Sequence, residues 1–134
     1  MTTGAGPNKI LLCDDDETLV DILESLFAEH GYTVGIAHTG FECLERITED
    51  KPEVLILDID MPDISGLKIL EALAEGGVTG APKVIVVSGH QQEDAKASAE
   101  ALGAVGYIVK PLNCANLLER VNELVGRGEK TDAA

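Results

Sequence analysis

The chain has 134 residues, which fits one domain that buries about two-thirds of its unfolded surface in a single core. Its 24 acidic side chains against 10 basic ones give a formal charge of −14, which disfavours nucleic acid and anionic membrane surfaces as partners and favours cations and basic proteins. There is no basic, apolar leader and no run of 18 apolar residues, so we expect neither a signal peptide nor a transmembrane helix.

Five apolar runs predict buried strands, and helical patterns separate them. The strands are predicted over residues 9–13, 33–37, 53–58, 83–88 and 106–110. Apolar side chains recur at helical spacing from Leu19 to Phe27 and again from Leu117 to Val125. Each of these helices therefore has one apolar face that needs a sheet to pack against.

The predicted helix ends agree with this alternation. Thr39, followed three residues later by Glu42, predicts a capping box, while Gly31 and Gly103 predict the ends of two helices. Strands and helices that alternate five times are typical of a parallel sheet covered by helices on both faces. In such sheets the ligand crevice lies at the carboxyl ends of the strands.

The cysteines bear on the cellular compartment. Cys13, Cys43 and Cys114 are odd in number, far apart, and without paired spacing to a histidine. This pattern predicts neither a disulfide framework nor a zinc site, and it favours a reducing cytoplasm.

Polar side chains stand where four of the predicted strands end. They are Asp14 and Asp15 after the first strand, Asp58 on the third, Ser88 on the fourth and Lys110 on the fifth. In a parallel sheet all of them project from the same edge. An acid pair, an acceptor carboxylate, a hydroxyl and an ammonium are the groups needed to move a phosphoryl group with a divalent ion. Magnesium prefers such carboxylate oxygens.

Four stretches carry a family resemblance: LLCDDDE, LILDIDMPDISGL, VIVVSGH and GAVGYIVKPL. In this order they resemble the receiver domain of two-component response regulators, and the chain is similar to the stand-alone chemotaxis type. The resemblance implies a receiver domain over residues 8–126, with a flexible segment at 1–7 and a polar tail at 127–134. It also implies a flavodoxin-like fold, a doubly wound five-stranded parallel sheet in the order 2-1-3-4-5 flanked by five helices, an order that periodicity alone does not give.

The resemblance assigns a phosphoacceptor and a metal site. It makes Asp58 the phosphoacceptor, and it makes Asp14 and Asp15 the acid pair that binds Mg²⁺. Asp15 is then a direct ligand and Asp14 acts through water. Asp58 itself and the backbone carbonyl of Asp60 complete the expected protein ligands.

The resemblance also assigns a switch. Ser88 and Lys110 are expected to contact the phosphoryl oxygens, and Ser88 and Tyr107 are expected to change position on phosphorylation. His90 stands at a position that tunes phosphoryl lifetime in the family. The phosphoryl donor would be a sensor histidine kinase or a histidine phosphotransfer protein. The downstream protein target would bind the face formed by the fourth helix, the fifth strand and the fifth helix.

Several neighbouring polar residues have simpler interpretations. Asp16 is expected to begin the first helix, where the helix dipole favours an acid. Asp63 is expected to bond nearby backbone, with its carboxylate pointing to solvent. His30, His38 and His90 are expected on the surface, with the lifetime-tuning role of His90 the less favoured interpretation, and Cys13 is expected to be a small buried apolar residue.

Two alternative functions stay open from the sequence. LDIDMP also resembles the nucleophile motif of haloacid-dehalogenase-type phosphohydrolases, although the early acid pair and the lack of room for a cap domain argue against that class. A third interpretation is a receiver module excised from a longer regulator. Within its own sequence we find no basic recognition helix for DNA.

Overall fold

The computed structural model describes residues 8–76, 81–89 and 93–127. The predicted N-terminal segment 1–7, His90 and the tail residues 128–134 lie outside the described residues. No helix in the described ranges is both long enough and apolar enough to span a membrane.

Five strands and five helices alternate along the chain. The strands are β1 (Lys9–Cys13), β2 (Thr33–Ala37), β3 (Val54–Asp58), β4 (Lys83–Ser88) and β5 (Gly106–Val109). The helices are α1 (Glu17–Glu29), α2 (Gly40–Asp50), α3 (Gly66–Ala74), α4 (Glu93–Ala101) and α5 (Cys114–Leu124). All five predicted strands are confirmed, except that β3 begins one residue later and β5 ends one residue earlier than predicted.

The strands form one parallel sheet in the order β2-β1-β3-β4-β5, which confirms the fold that the resemblance implied. Successive side chains of a strand point to opposite faces, and each face is covered by helices. One core cluster joins alternate residues such as Leu11 and Leu55 to α2, α3 and α4. The other joins Ile10 and Ile56 to α1 and α5, around the fully buried Phe27.

The ends of α1 and α4 follow the predicted chemistry. The carboxylate of Asp16 accepts a hydrogen bond from the amide of Leu19 at 3.2 Å and so caps α1. Gly31 and Gly103 follow these helices with φ of 88° and 104°, a conformation that other residues rarely adopt.

The start of α2 differs slightly from the predicted capping box. The hydroxyl of Thr39 accepts from the amide of Glu42 at 3.1 Å, as expected. The carboxylate of Glu42, however, accepts from the amide of His38 at 2.8 Å, one residue before the expected donor. The two side chains still satisfy two amides at this end of the helix.

Candidate functional site

The carboxyl ends of four strands bring the predicted polar residues to one edge of the sheet. Asp58 ends β3 beside Val87 of β4, and Ser88 ends β4 beside Val109 of β5. The amide of Lys110 donates to the carbonyl of Ser88 at 2.7 Å, which places the lysine just beyond β5. This edge is therefore built by ladder hydrogen bonds, and the side chains on it are fixed by the register of the strands.

Lys110 contacts two carboxylates at this edge. Its Nζ lies 3.0 Å from Oδ2 of Asp14 and 3.6 Å from Oδ2 of Asp58. Burial alone would lower the pKa of Lys110, but the hydrogen bond to Asp14 and the charges of Asp58 and Asp14 outweigh it and raise the pKa. The lysine is therefore a permanent cation between two largely buried acids.

Asp58 is the most enclosed acid of the site, with 2% of its surface exposed. Its Oδ1 accepts a hydrogen bond from the amide of Asp60 at 3.0 Å. Burial raises the pKa of Asp58 to about 6, with a further rise from the charge of Asp14, while the Asp60 amide and Lys110 oppose the rise. Asp58 is thus ionised at neutral pH but protonates far more readily than an exposed aspartate.

Asp14, Asp15 and Asp58 form a group that fits a hard cation. Each offers a carboxylate oxygen, and these three oxygens lie within 4.8 Å of one another. Asp15 is exposed, so its carboxylate reaches solvent, whereas Asp14 is buried and its Oδ1 accepts from the amide of Asp16 at 2.9 Å. Oxygen ligands at this spacing suit Mg²⁺, which binds through one or two carboxylates and keeps several waters.

The other predicted site residues lie close to this group. Ser88 is buried, with 1% of its surface exposed, and Asp60 is exposed in the loop after β3. Tyr107 is half-buried on β5 and packs against the core cluster beneath α4. The structure thus brings Ser88 and Asp60 to the acidic edge, and it places Tyr107 two residues before the end of β5.

Gly66 allows the loop after β3 to close tightly. A Cβ at this position would lie 2.6 Å from the carbonyl oxygen of Asp58 and 2.8 Å from Cα of Ile59. The first turn of α3 therefore packs directly on the backbone of the residue that carries the central carboxylate, and only glycine fits there.

The prediction for Asp63 is confirmed in its exposure, but it missed the two main partners of the carboxylate. Its side chain is exposed, but its carboxylate crosses to α2 and accepts from the amides of Gly40 at 2.7 Å and Phe41 at 2.9 Å. These two hydrogen bonds lower the pKa of Asp63. Asp63 lies 23 positions from Gly40 and 22 from Phe41 in the sequence, and no local sequence pattern predicts contacts over such a separation.

The two histidines differ from one another. His30 is exposed, as predicted, whereas His38 is half-buried and its Nδ1 lies 3.3 Å from the carbonyl oxygen of Asp14. His38 follows β2, which pairs with β1, and this pairing brings the ring to the acidic edge. The prediction of a surface position therefore holds only in part for His38, because the pairing of β2 with β1 brings its ring against the backbone of Asp14.

Comparison with known proteins gives a consistent result. The family model described as the response regulator receiver domain matches residues 10–122. The chain is 33% identical over 126 residues to the response regulator MprA of Mycobacterium bovis, covering 94% of this chain and 54% of that protein. The chain thus spans about half the length of the curated relatives it matches.

Solved structures resemble the fold closely. A CheY-like receiver domain protein from Methanospirillum hungatei superposes with a TM-score of 0.80 at 31% identity, covering 93% of this chain and 98% of that one. A response regulator protein from Burkholderia pseudomallei, solved with a phosphorylated aspartic acid, a calcium ion and citrate, superposes with a TM-score of 0.77 at 25% identity. That match covers 94% of this chain and 73% of the Burkholderia chain.

Proposed function

Because the chain belongs to the response regulator receiver domain family, we propose that it is a phosphorylation-dependent signalling switch with Asp58 as the phosphoacceptor. The donor is the phosphohistidine of a sensor histidine kinase or of a histidine phosphotransfer protein. An oxygen of Asp58 attacks phosphorus, the bond between phosphorus and the imidazole nitrogen breaks, and its electron pair stays on that nitrogen. The product is an acyl phosphate on Asp58.

The enclosed position of Asp58 carries this proposal. Its carboxylate lies within 4.8 Å of those of Asp14 and Asp15, with Lys110 3.6 Å away. Since its pKa is raised only to about 6, Asp58 is ionised and nucleophilic at neutral pH. Lys110 offers an ammonium group, and Ser88 offers a hydroxyl from the neighbouring strand, for the oxygens of the transferred group.

Asp14, Asp15, Asp58 and the backbone carbonyl of Asp60 are the proposed Mg²⁺ ligands. When bound, Mg²⁺ neutralises the acids and the charge that develops on the phosphoryl oxygens. The exposed Asp15 is suited to direct ligation. Asp14 is suited to act through water, because Lys110 and the Asp16 amide already contact its two oxygens. The Burkholderia protein was solved with both a phosphorylated aspartic acid and a calcium ion, which is consistent with a divalent cation site in a protein of this fold.

The proposed output is a change in the surface formed by α4, β5 and α5. A phosphoryl group adds up to two negative charges and three acceptor oxygens, which attract the Ser88 hydroxyl and the Lys110 ammonium. Ser88 ends β4, which pairs with β5, and Lys110 follows the last residue of β5, so both lie next to this surface. Movement of Ser88 would let the half-buried Tyr107 turn inward, biasing an existing equilibrium between two states. The downstream protein target would bind this face.

The two alternative functions considered from the sequence are not equally supported. A family match over residues 10–122 leaves a haloacid-dehalogenase-type phosphohydrolase without support, and the only phosphoryl chemistry proposed is phosphorylation and dephosphorylation of the chain itself. A module of a longer regulator stays open, since the curated relatives are about twice as long. The three free cysteines support a cytoplasmic location.

Incubation with acetyl phosphate and Mg²⁺, followed by intact mass measurement, tests the proposal. The wild type should gain one phosphoryl group, and Asp58→Asn should gain none. Asp60→Asn is the matched control, because it removes an exposed carboxylate two residues away and keeps its backbone carbonyl. An undiminished gain in Asp58→Asn would show that another residue is the acceptor.

A further inference from the structure

The contact of Asp63 with α2 is the feature of the site edge that the proposed function does not use. One carboxylate accepts from both of the first two amides of α2, Gly40 and Phe41, at 2.7 and 2.9 Å. The hydroxyl of Thr39 takes the third amide, that of Glu42. The amides at this end have no partner within the helix, so a carboxylate that binds two of them makes strong, charge-assisted hydrogen bonds.

A second feature of α2 serves the same contact. A Cβ on Gly40 would lie 2.9 Å from Cβ of Ile64, 3.2 Å from its carbonyl oxygen and 3.3 Å from Oδ1 of Asp63. The loop from residue 59 to residue 65 therefore approaches α2 more closely than any residue with a side chain would allow. A glycine on the helix and an acid on the loop together fix this approach.

The same loop is also tied to the acceptor carboxylate. At its start the amide of Asp60 donates to Oδ1 of Asp58, and at its end the amide of Gly66 donates to the carbonyl of Ile59. The stretch between these ties has no regular secondary structure. On its outer side the carboxylate of Asp63 connects the loop to α2 through two hydrogen bonds.

We propose that Asp63 is a positioning residue for the metal site, because its contact with α2 fixes the loop that carries the backbone of Asp60 beside Asp58. The inference rests on the function proposed above, in which the Asp60 carbonyl is a Mg²⁺ ligand. Asp63 touches neither the metal nor the phosphoryl group. Asp63 acts on the position of the Asp60 backbone, three residues earlier in the loop. It should therefore affect the affinity for Mg²⁺ more than the rate of phosphorylation once Mg²⁺ is bound.

Calorimetric titration with Mg²⁺ tests this inference without relying on activity. Asp63→Ala should bind Mg²⁺ roughly 3- to 10-fold more weakly than the wild type, less than the roughly 10- to 100-fold loss typical when a direct partner of a metal ligand is removed. Gly40→Ala breaks the same contact from the helix side and should weaken binding to a similar degree. Asp63→Asn keeps one acceptor oxygen, so its Mg²⁺ affinity should lie between those of the wild type and Asp63→Ala. If Asp63→Ala does not fold, the affinity of Asp63→Asn serves as the test.

Two controls separate positioning from general effects. Thr39→Ala removes the other cap of α2 but leaves the Asp63 contact, so it should lower stability and keep wild-type Mg²⁺ affinity. Asp21→Ala removes one exposed carboxylate of α1 and controls for the lost negative charge. Equal weakening in Thr39→Ala would overturn the inference, because helix stability would then explain the effect.

Phosphorylation by acetyl phosphate supplies the second measurement. In Asp63→Ala the Mg²⁺ concentration for half-maximal rate should rise, while the rate at saturating Mg²⁺ should stay within about twofold of the wild type. If the wild type is phosphorylated and Asp63→Ala matches it in Mg²⁺ affinity, this inference fails and the proposed function stands. If the wild type gains no phosphoryl group but Asp63→Ala still binds Mg²⁺ more weakly, the proposed function fails and the positioning role of Asp63 stands.

Discussion

Replacement of Asp58 by asparagine should stabilise the protein at neutral pH in the absence of Mg²⁺. The carboxylate is 2% exposed and lies close to the negative charge of Asp14, and Lys110 offsets this cost only in part. Asparagine keeps an oxygen that can accept the hydrogen bond from Asp60 and removes the buried charge. The substitution that we expect to abolish phosphorylation should therefore also raise the free energy of unfolding.

The size of the effect follows from the pKa of Asp58. A value of about 6 in the folded protein against 3.8 in an unperturbed aspartate means that the folded state binds the proton more tightly. At about 1.4 kcal/mol for each tenfold change in proton affinity, ionisation of Asp58 costs about 3 kcal/mol of stability. Because asparagine is not identical to a protonated aspartate, we expect a gain of about 1 to 3 kcal/mol.

The sign of the pH dependence is fixed by the direction of this shift. Because the folded pKa is raised, the stability that protonation of Asp58 contributes is fully present below about pH 4 and is lost as the pH rises through about 6. Wild type and Asp58→Asn should therefore have similar stabilities near pH 4. The gap between them should open between pH 4 and 6 and stay constant up to pH 7.5.

Thermal unfolding of the wild type and of Asp58→Asn across this pH range measures the difference in their stabilities. At pH 7.5 the Tm of Asp58→Asn should be roughly 5 to 10 °C higher, as expected for about 2 kcal/mol in a domain of this size. Added Mg²⁺ should narrow the gap, since it binds the charged wild-type site better. An equal gain in Tm at pH 4 and pH 7.5, or no gain at either pH, would refute the buried charge of Asp58 as the cause. Asp21→Asn controls for the loss of an exposed charge.

Three further predictions concern the same edge and the core beneath it. Lys110→Met should raise the pKa of Asp58 above about 6 and slow phosphorylation by acetyl phosphate at least roughly tenfold, whereas Lys96→Met on the exposed side of α4 should not. Gly66→Ala should lower the free energy of unfolding by about 1 to 3 kcal/mol in urea titrations, and Gly89→Ala, which meets no atom within 4 Å, should cost less; equal losses would contradict the close approach. Ellman's reagent should label Cys114 readily in the native protein and Cys13 and Cys43 only after denaturation, because both of these thiols are buried and because hydrogen bonding with Cys43, together with burial, raises the pKa of Cys13.

The sequence predicted the strands and the position of the acidic edge for a common reason. Apolar runs of strand length mark buried strands, and the first polar residue after each run lies where that strand leaves the sheet. Asp58, Ser88 and Lys110 all stand at such points, and parallel pairing brings them together. The order of the strands came from the family resemblance, because no local pattern shows which strands are neighbours.

Two contacts at the acidic edge that the sequence did not predict join residues from separate elements of the fold. His38 reaches the carbonyl of Asp14 only because β2 pairs with β1, and Asp63 reaches α2 only because Gly40 admits the loop. Such contacts depend on the distance between elements already folded, and neither periodicity nor capping patterns encode that distance. The sequence predicted a solvent-exposed carboxylate for Asp63, and the side chain is exposed. Its main hydrogen-bond partners, however, are the first two amides of α2.

Net charge could not have located the site, although it predicted affinity for cations. Most acidic side chains are solvated and gain little from a nearby cation, whereas Asp14 and Asp58 are buried side by side with one lysine for compensation. A cation that binds Asp14 and Asp58 must share their carboxylates with Lys110. The contacts between the Lys110 ammonium group and these carboxylates would then be weakened. A phosphoryl group on Asp58 would then give Lys110 a new anionic partner. We therefore expect Lys110 to exchange partners if a metal ion binds and again if Asp58 is phosphorylated.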